Sequence, residues 1–515
     1  MPRAQLVLIP RALDEMIPDD HPVRLIDEIL DQLDWTTWEA AYHGSHGQPP
    51  IHPSVLAKTL LFAMIRRIRS SRQIEYEIKH SIDFIWLTSG RRIDHTTLSE
   101  FRRKHTGELR DIFKQMIKLA INLKIANLSE LCIDGTRVLA DANKYKNWTT
   151  EKLTRALEQL DTQIADALAN LEVSDSLDED LIGQDVSADR LPAVLANLKS
   201  RREQLAAYRE TTQAMDDNRK KNGTKGPAQM PKTDPDSRIL PNKEGGYAAN
   251  YTPMATTETG MGLIVCAEVV IGNVEHDQLA SVVETVQSDF DVDVQRVLAD
   301  SAYTHGENLD TMEAREVDLV GPLAETKCKD NPAIRDDLQQ PVAAERMDDL
   351  PIQVRTKCFD KTAFVYDESE DSYYCPAGKP LPHRTTYSIG TPAERKVYTC
   401  EQCEGCPLAA KCIRKSDSAG REVIDDVHEP ARRRHRTKMA QPESQEAYGR
   451  RQHFGETPFA VIKVMFDFRR FLLRGIEGVG QEWRWMATAF NLKKLMKQWE
   501  TLRTLVSGAS QLAVV

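Results

Sequence analysis

The stretch Leu131-Cys132-Ile133-Asp134-Gly135-Thr136 decides how this chain folds. It is a short apolar run broken by a carboxylate and a glycine, a pattern typical of the end of a buried strand. A second run, Val294-Gln295-Arg296-Val297-Leu298-Ala299-Asp300, ends in the same way. Because adjacent strands bring their ends together, we expect Asp134 and Asp300 to lie close to each other. Either aspartate alone is more often a turn residue than a ligand.

The segments around these two runs predict a mixed α/β sheet. Strand and helix patterns alternate in the order strand, strand, strand, helix, strand, helix, strand. After the strand that carries Asp134, the predicted elements are strands at 247–257 and 261–271, a helix at 276–286, the strand that carries Asp300, a helix at 305–315 and a strand at 317–320.

Helical periodicity and punctuation by proline and glycine divide the rest of the chain. The predicted segments are an all-α domain at 1–125, a sheet core at 126–148 and 230–322, a helical hairpin with a linker at 149–229, an irregular Cys-rich insertion at 323–440 and a helical end of the core at 441–515.

Composition excludes several classes of protein. The 515 residues are 41% hydrophobic, contain no long uncharged apolar run and begin without a secretion signal, so we expect a cytoplasmic protein without a membrane span. The nine cysteines are an odd number, which favours reduced thiols over a disulfide framework. The formal net charge of −10 argues only weakly against a nucleic-acid partner, since DNA binding depends on local basic patches.

A third carboxylate would complete a cation site with the two aspartates. Glu456 is the candidate, in the pattern Tyr448-x2-Arg451-x4-Glu456-x6-Lys463. Glu456 and Lys463 are about two helical turns apart and share a face. Pro458 predicts that the helix begins near Glu456, because proline fits only the first turn of a helix.

Carboxylates that converge repel each other unless cations neutralise them. Hard oxygen ligands suit Mg²⁺, or Mn²⁺, better than zinc. Two such ions, roughly 3.5–4 Å apart, activate an attacking oxygen and stabilise the leaving oxygen in phosphoryl transfer. The chemistry thus predicted is cleavage of phosphodiester bonds.

The ordered motifs resemble the DDE transposases of bacterial insertion sequences. The first catalytic block of that family is matched by Ile133-Asp134-Gly135-Thr136 with Ala142-Asn143-Lys144, the second by Leu298-Ala299-Asp300-Ser301-Ala302-Tyr303, and the third by the stretch from Tyr448 to Lys463 with Phe468-Arg469-Arg470-Phe471. Ala302 and Ala460 stand where the family more often has glycine. The N-terminal matches are Gly47-Gln48-Pro49, Ser70-Ser71-Arg72 and the stretch from Asp94 to Arg102, and a further element is Thr233-Asp234-Pro235-Asp236-Ser237-Arg238.

This resemblance implies a ribonuclease H-like catalytic core with Asp134, Asp300 and Glu456 as catalytic residues and Mg²⁺ ligands. The implied activity is DNA strand cleavage and strand transfer. The implied partners are the terminal inverted repeats of the element and target DNA, with a homodimer in the working complex. The predicted helical hairpin at 150–210 is a candidate for assembling that dimer.

Five cysteines have the spacing of metal ligands: Cys375, Cys400, Cys403, Cys406 and Cys412. Four thiolates in tetrahedral geometry favour a structural Zn²⁺, and related transposases often carry a similar cluster. The alternative is a set of reduced cysteines without metal, and the sequence does not decide which four would bind. The other thiols, at Cys132, Cys266, Cys328 and Cys358, are predicted to be buried or incidental.

Basic residues in three places are candidate DNA contacts. The densest run contains Arg432, Arg433, Arg434, Arg436 and Lys438. Tyr448, Arg451 and Lys463 flank Glu456, and a further group near the N-terminus contains Arg66, Arg67, Arg69 and Arg72. Clustered cations neutralise phosphates. The alternative for any one run is a solvated face, but the run at 432–438 favours DNA because it leads into the segment that carries Glu456.

Three other functions remain open from sequence. The first is a metal-dependent nuclease on the same scaffold that cuts without strand transfer. The second is a DNA-binding regulator with an inactive core, which the presence of all three acidic residues disfavours. The third is a zinc-ribbon structural protein, which the length of the chain disfavours.

Overall fold

The computed structural model describes residues 12–40, 51–178, 190–242, 245–325, 330–414 and 420–499. Two predictions, the Gly47-Gln48-Pro49 motif and the thiol of Cys328, lie outside these ranges. The fold is mixed α/β, as predicted, with a mixed central sheet and helices. No helix in the described ranges has the length and apolar character needed to cross a membrane.

Helices form the N-terminal part of the chain. They are α1 (Pro22–Asp31), α2 (Thr36–Ala40), α3 (Pro53–Ile65), α4 (Ser71–His80), α5 (Ile82–Leu87), α6 (His95–Arg103) and α7 (Thr106–Asn122). The start of α6 is capped by the Asp94 carboxylate, which accepts hydrogen bonds from the backbone N–H groups of Thr96 and Thr97 at 2.8 and 2.9 Å. The capping group of this helix is therefore the Asp94 carboxylate.

The central sheet follows these helices. Its strands and the elements between them are β1 (Glu130–Gly135), β2 (Val138–Leu139), β3 (Asn147–Trp148), α8 (Thr150–Asp178), α9 (Arg190–Lys221), β4 (Met230–Pro231), β5 (Arg238–Pro241), β6 (Tyr247–Glu258), β7 (Ile264–Val270), α10 (Leu279–Phe290), β8 (Arg296–Leu298), α11 (Gly306–Ala314) and β9 (Asp318–Val320). The strands lie in the order β7-β6-β1-β8-β9, and β2 and β5 also pair with β6. Strands β1, β8 and β9 are parallel, whereas β6 runs antiparallel to β1 and β7.

The register of the parallel strands brings the two aspartates to the same edge. Cys132 of β1 lies opposite Leu298 of β8. Asp134 and Asp300 each follow two residues later, so they occupy equivalent positions at the carboxyl ends of neighbouring strands.

A second sheet occupies the region predicted to be irregular. It contains the antiparallel strands β10 (Val365–Asp367), β11 (Ser372–Tyr374), β12 (Pro380–Tyr387), β13 (Arg395–Thr399) and β14 (Glu422–Asp426), with the short helix α12 (Ala409–Cys412) before β14. The prediction of an irregular insertion was wrong. Two of the strands have only three residues, too few for an alternating pattern to be recognised.

The C-terminal part is helical, with α13 (Glu429–Met439), α14 (Pro442–Arg451), α15 (Thr457–Ala460) and α16 (Gly475–Met496). Gln452–Glu456 and Val461–Met465 are π-helical turns that continue α14 and α15 without a break. The buried helix α16 joins the sheet to the N-terminal helices. Its Trp483 indole donates to the Met254 carbonyl at 2.8 Å, and its Trp485 indole donates to the Arg102 carbonyl at 3.2 Å. The domain boundaries predicted from sequence stay predictions.

Candidate active site

Asp134 is held at the end of β1, where the strand leaves the core. The residue is buried, and its Oδ1 accepts a hydrogen bond from the Gly135 N–H at 2.8 Å. Asp300 follows β8 and accepts a hydrogen bond from the Ala302 N–H at 2.8 Å. Backbone donors therefore fix both carboxylates at the same sheet edge.

One guanidinium lies between the two aspartates. Arg451 Nη2 is 3.1 Å from Asp134 Oδ2 and 3.8 Å from Asp300 Oδ2. Burial alone would lower the pKa of Arg451, but the two carboxylates raise it above its ordinary value. The Arg451 guanidinium is therefore a cation that Asp134 and Asp300 share at this edge of the sheet.

Glu456 lies beside this pair but does not join it. The residue before it, Gly455, packs on β1 so closely that an added Cβ would lie 3.3 Å from Asp134 Oδ2. Consecutive Cα atoms are about 3.8 Å apart, so the Cα of Glu456 lies within roughly 9 Å of that oxygen. The Glu456 residue is exposed. In the described part of the chain, the three carboxylates do not form a group with ligand oxygens all within 4.8 Å of one another.

The helix that carries Glu456 does not begin near it, which corrects the expectation based on Pro458. Helical backbone runs unbroken from Pro442 through Glu456 to Met465. Proline has no N–H to donate to the carbonyl four residues earlier, which is that of Phe454. Thr257 of β6 supplies the missing donor, because its hydroxyl bonds to the Phe454 carbonyl at 2.9 Å.

Lys463 and Tyr448, the other two residues that flank Glu456 in the motif besides Arg451, both contact the central sheet. Lys463 Nζ donates to Thr136 Oγ1 at 2.6 Å and to the Arg137 carbonyl at 2.9 Å. The half-buried Tyr448 packs against an apolar cluster that includes Cys132 and Leu298. The motif therefore lies along the carboxyl ends of β1 and β8, and its proposed contacts with DNA stay predictions.

The basic run at 432–438 is paired within the protein. Its ion pairs join Arg432 to Asp426, Arg433 to Asp425, Arg434 to Glu313, Arg436 to Glu325 and Glu429, and Lys438 to Asp318. These contacts anchor α13 to the central sheet and to β14. These ion pairs give each cation of the run a role in the fold. They do not test the prediction that the run binds DNA.

Two residues near the aspartates had no predicted role. The buried Tyr303 hydroxyl has no hydrogen-bond partner within the described ranges. Burial and then the charges of Asp134, Glu275 and Asp300 raise the pKa of Tyr303. The Glu275 side chain lies within 3.7 Å of the position of a Cβ added to Gly135. Tyr303 ends the stretch that resembles the second block of the family and was visible in the sequence, whereas no motif marks Glu275.

The five clustered cysteines line one cavity together with residues of α12 and Arg421. The backbone N–H of Lys379 donates to Cys375 Sγ, and that of Arg421 donates to Cys403 Sγ, both at 3.4 Å. A hydrogen bond from Cys400 is the main cause that lowers the pKa of Cys375 to about 6. Within the described ranges no three of these sulfurs lie within 4.8 Å of one another, so zinc would require them to draw closer.

The remaining described cysteines are structural thiols, as predicted. Cys132, Cys266 and Cys358 are buried and free. Burial raises the pKa of both Cys132 and Cys266 to about 12. These two residues are therefore protonated core side chains at neutral pH.

Among solved structures, the piggyBac transposase synaptic complex with hairpin DNA is similar to this chain. The match covers 93% of this chain and 74% of that chain, with 11% identity and a TM-score of 0.32. A likeness this distant carries no argument about the site. No curated protein matches the chain.

Two family models match the sequence. The transposase DDE domain matches residues 374–496, which include Glu456, and a transposase domain of the DUF772 family matches residues 11–104. The two matches lie in the order expected from the sequence motifs. The two matches support the identification of the chain as an insertion-sequence type of DDE transposase with an N-terminal transposase domain.

Proposed function

We propose that this transposase cuts DNA at the terminal inverted repeats of a bacterial insertion sequence and joins the freed ends to target DNA. Asp134, Asp300 and Glu456 are the catalytic residues of the proposal. The observation that carries the proposal is that Asp134 and Asp300 share one cation, the Arg451 guanidinium. Arg451 Nη2 lies 3.1 Å from Asp134 Oδ2 and 3.8 Å from Asp300 Oδ2.

A ribonuclease H-like core is the fold that we propose for this site. The sheet order β7-β6-β1-β8-β9, with three parallel strands and β6 antiparallel, supports it. In such a sheet the carboxyl ends of the parallel strands form one edge, where loops and a helix can add further ligands. The helix through Glu456 crosses this edge at Gly455.

The donor set fits Mg²⁺ or Mn²⁺, because carboxylate oxygens prefer these hard cations. Two bound ions would supply the chemistry of phosphoryl transfer, with activation of the attacking oxygen and stabilisation of the leaving oxygen. The protein would hold them through Asp134 and Asp300, and Glu456 would bind one of them. Arg451 would then leave the aspartates, since a cation between them repels the guanidinium.

DNA is the proposed partner of the same edge. Arg451 released from the aspartates, together with Lys463 and Tyr448, would hold the phosphate backbone next to the reacting bond. Cleavage of two element ends implies a homodimer in the working complex, and the helical pair α8 and α9 is a candidate for its assembly. Action on bacterial DNA implies a cytoplasmic protein.

A structural Zn²⁺ in the cysteine cavity is a second part of the proposal. Cys375 and Cys403 accept backbone N–H donors, and the pKa of Cys375 is lowered to about 6, which favours its thiolate form. Cys375, Cys400 and Cys403 with Cys406 or Cys412 would hold the ion, after the sulfurs draw together to the roughly 2.3 Å Zn–S distance of such sites. The ion would tie α12 to the second sheet.

Strand transfer is the reaction that tests this function. The full-length protein is incubated with Mg²⁺, a labelled DNA that carries the element ends and a supercoiled target, and both cut ends and joined products are measured. We expect both products, and neither with scrambled ends or with a chelator. Cleavage without joining would indicate a nuclease, and binding without cleavage a regulator. Either outcome would overturn the proposed activity.

A further inference from the structure

Two histidines and an aspartate meet outside the carboxylate site. They are His276 and Asp277, in the 3₁₀ turn Glu275–Gln278 after β7, and His305, the residue immediately before α11. One ligand atom from each residue lies within 4.8 Å of the other two. In the described part of the chain, no other group of three or more His, Cys, Asp or Glu residues brings its ligand atoms within this distance.

The contacts of the three side chains suit a shared ligand. His276 Nε2 lies 3.3 Å from Asp277 Oδ1. The rings of His276 and His305 are perpendicular, at 89°, with 5.2 Å between their centroids. His305 Nε2 is shielded from solvent and has no hydrogen-bond partner in the described ranges. A shielded imidazole nitrogen without a partner costs free energy unless a ligand satisfies it.

The backbone around this group is fixed from a third position. The side-chain amide of Asn308 donates to the His276 carbonyl and to the Tyr303 carbonyl, both at 2.9 Å. Asn308 is itself buried. It therefore holds the turn after β7 against the segment before His305, and the spacing of the three donors does not depend on flexible loops.

We propose that His276, Asp277 and His305 bind a borderline transition-metal dication of the Zn²⁺ class. Two imidazoles and one carboxylate are the ligands such ions prefer, whereas Mg²⁺ prefers oxygen alone. Three protein ligands leave a coordination position open for water or a phosphate oxygen. The site is separate from both the three catalytic carboxylates and the five cysteines, and it does not depend on the transposition reaction.

Occupancy of this site would stabilise the surroundings of the aspartates. Glu275 precedes the first ligand and lies against the Gly135 position. Tyr303 comes two residues before His305 and three residues after Asp300, and its buried hydroxyl has no hydrogen-bond partner in the described ranges. An ion that joins the turn to the segment after Asp300 therefore restrains two neighbours of the catalytic edge.

Cobalt binding to the full-length protein tests the proposal. The metal-free protein is titrated with Co²⁺ in excess Mg²⁺, which occupies carboxylate sites, and stoichiometry is measured by calorimetry and absorbance. Thiolate ligation gives intense charge-transfer bands, whereas imidazole and carboxylate ligation gives weak d–d bands. We expect Asp277→Asn and His276→Ala to lower the affinity for Co²⁺ at the site that gives the d–d bands by more than about 100-fold. Even residues that contact a metal ligand without binding the metal change affinity about 10–100-fold.

Three further variants keep the test decisive. His80→Ala, which removes an exposed imidazole on α4, should keep all cobalt equivalents. Cys403→Ser should lose only thiolate bands, and Asp134→Asn should keep the d–d bands. Asp277→Asn changes an exposed side chain, so loss of folding would not explain its effect. Unchanged cobalt binding in Asp277→Asn and His276→Ala, or loss of the d–d bands in Asp134→Asn, would overturn the proposal.

Discussion

Asp134→Asn is expected to abolish metal-dependent strand cleavage while DNA binding survives. The substitution keeps the shape of the side chain but removes one of the two charges that share a cation at the sheet edge. A neutral amide is a poor ligand for Mg²⁺ and no longer offsets a second positive ion. The rate should fall by more than about 100-fold, because even outer partners of metal ligands change activity 10–100-fold.

Asp141→Asn provides the matched control for this experiment. Asp141 follows β2 and pairs with Arg474 at 2.8 Å, whereas Asp134 pairs with Arg451. We expect this variant to cleave within a few-fold of the unmodified protein. DNA binding is measured separately by fluorescence anisotropy without divalent ions. Cleavage by Asp134→Asn at the rate of the control would end the assignment of this residue.

Arg69→Met is expected to destabilise the fold by about 3–5 kcal/mol, the cost of leaving one member of a buried ion pair without its partner. Arg69 Nη2 lies 2.8 Å from Glu482 Oε1, and the side chains are 14% and 2% exposed. Arg69 also donates to the carbonyls of Asp467 and Arg470, at 3.3 and 2.6 Å. The pair therefore joins the N-terminal helices to α16, and methionine preserves only the packing of the aliphatic stem.

Arg103→Met is the control for this loss. Arg103 is an exposed arginine on α6, so its replacement should change the free energy of unfolding by less than about 0.5 kcal/mol. Urea denaturation followed by circular dichroism measures both variants. Equal midpoints for Arg69→Met and Arg103→Met would show that the pair contributes nothing. Arg69 was a candidate DNA contact from sequence, and reduced DNA binding without reduced stability would favour that role instead.

The two aspartates could be predicted because the signal is local. Each ends a short apolar run, and the parallel register of Cys132 with Leu298 then places both at one edge. The helical pair α8 and α9 was equally accessible, because long amphipathic helices repeat their pattern many times. Sequence reasoning recovers the elements whose hydrophobic pattern repeats over many residues, because contacts with the rest of the chain do not obscure so long a pattern.

The helix through Glu456 could not be predicted because its stability comes from another strand. Pro458 argues for a helix start on local grounds, and the Thr257 hydroxyl, nearly two hundred positions earlier in the chain, donates to the Phe454 carbonyl with which the proline cannot pair. The position of the Arg451 guanidinium between the two aspartates could not be predicted for the same reason. Arg451 is recognisable as part of a motif, but its pairing with Asp134 depends on how α14 lies across the sheet.

The basic run at 432–438 shows a further limit of sequence reasoning. A dense run of arginines is typical of a DNA-binding surface, but the acidic partners of this run come from six separate positions. Those partners are Asp425, Asp426, Glu429, Glu313, Glu325 and Asp318. Charge complementarity between distant segments has no local signature, so the structural use of these cations appears only after folding.

Anomalous scattering from crystals grown with Mn²⁺ and the element's DNA ends tests the central claim most directly. We expect a manganese peak between Asp134 and Asp300, with ligand oxygens at about 2.1 Å, Glu456 turned inward as a ligand and Arg451 moved to a phosphate. A complex active in cleavage that showed no ion between the aspartates, or an ion there with Glu456 still turned to solvent, would contradict it.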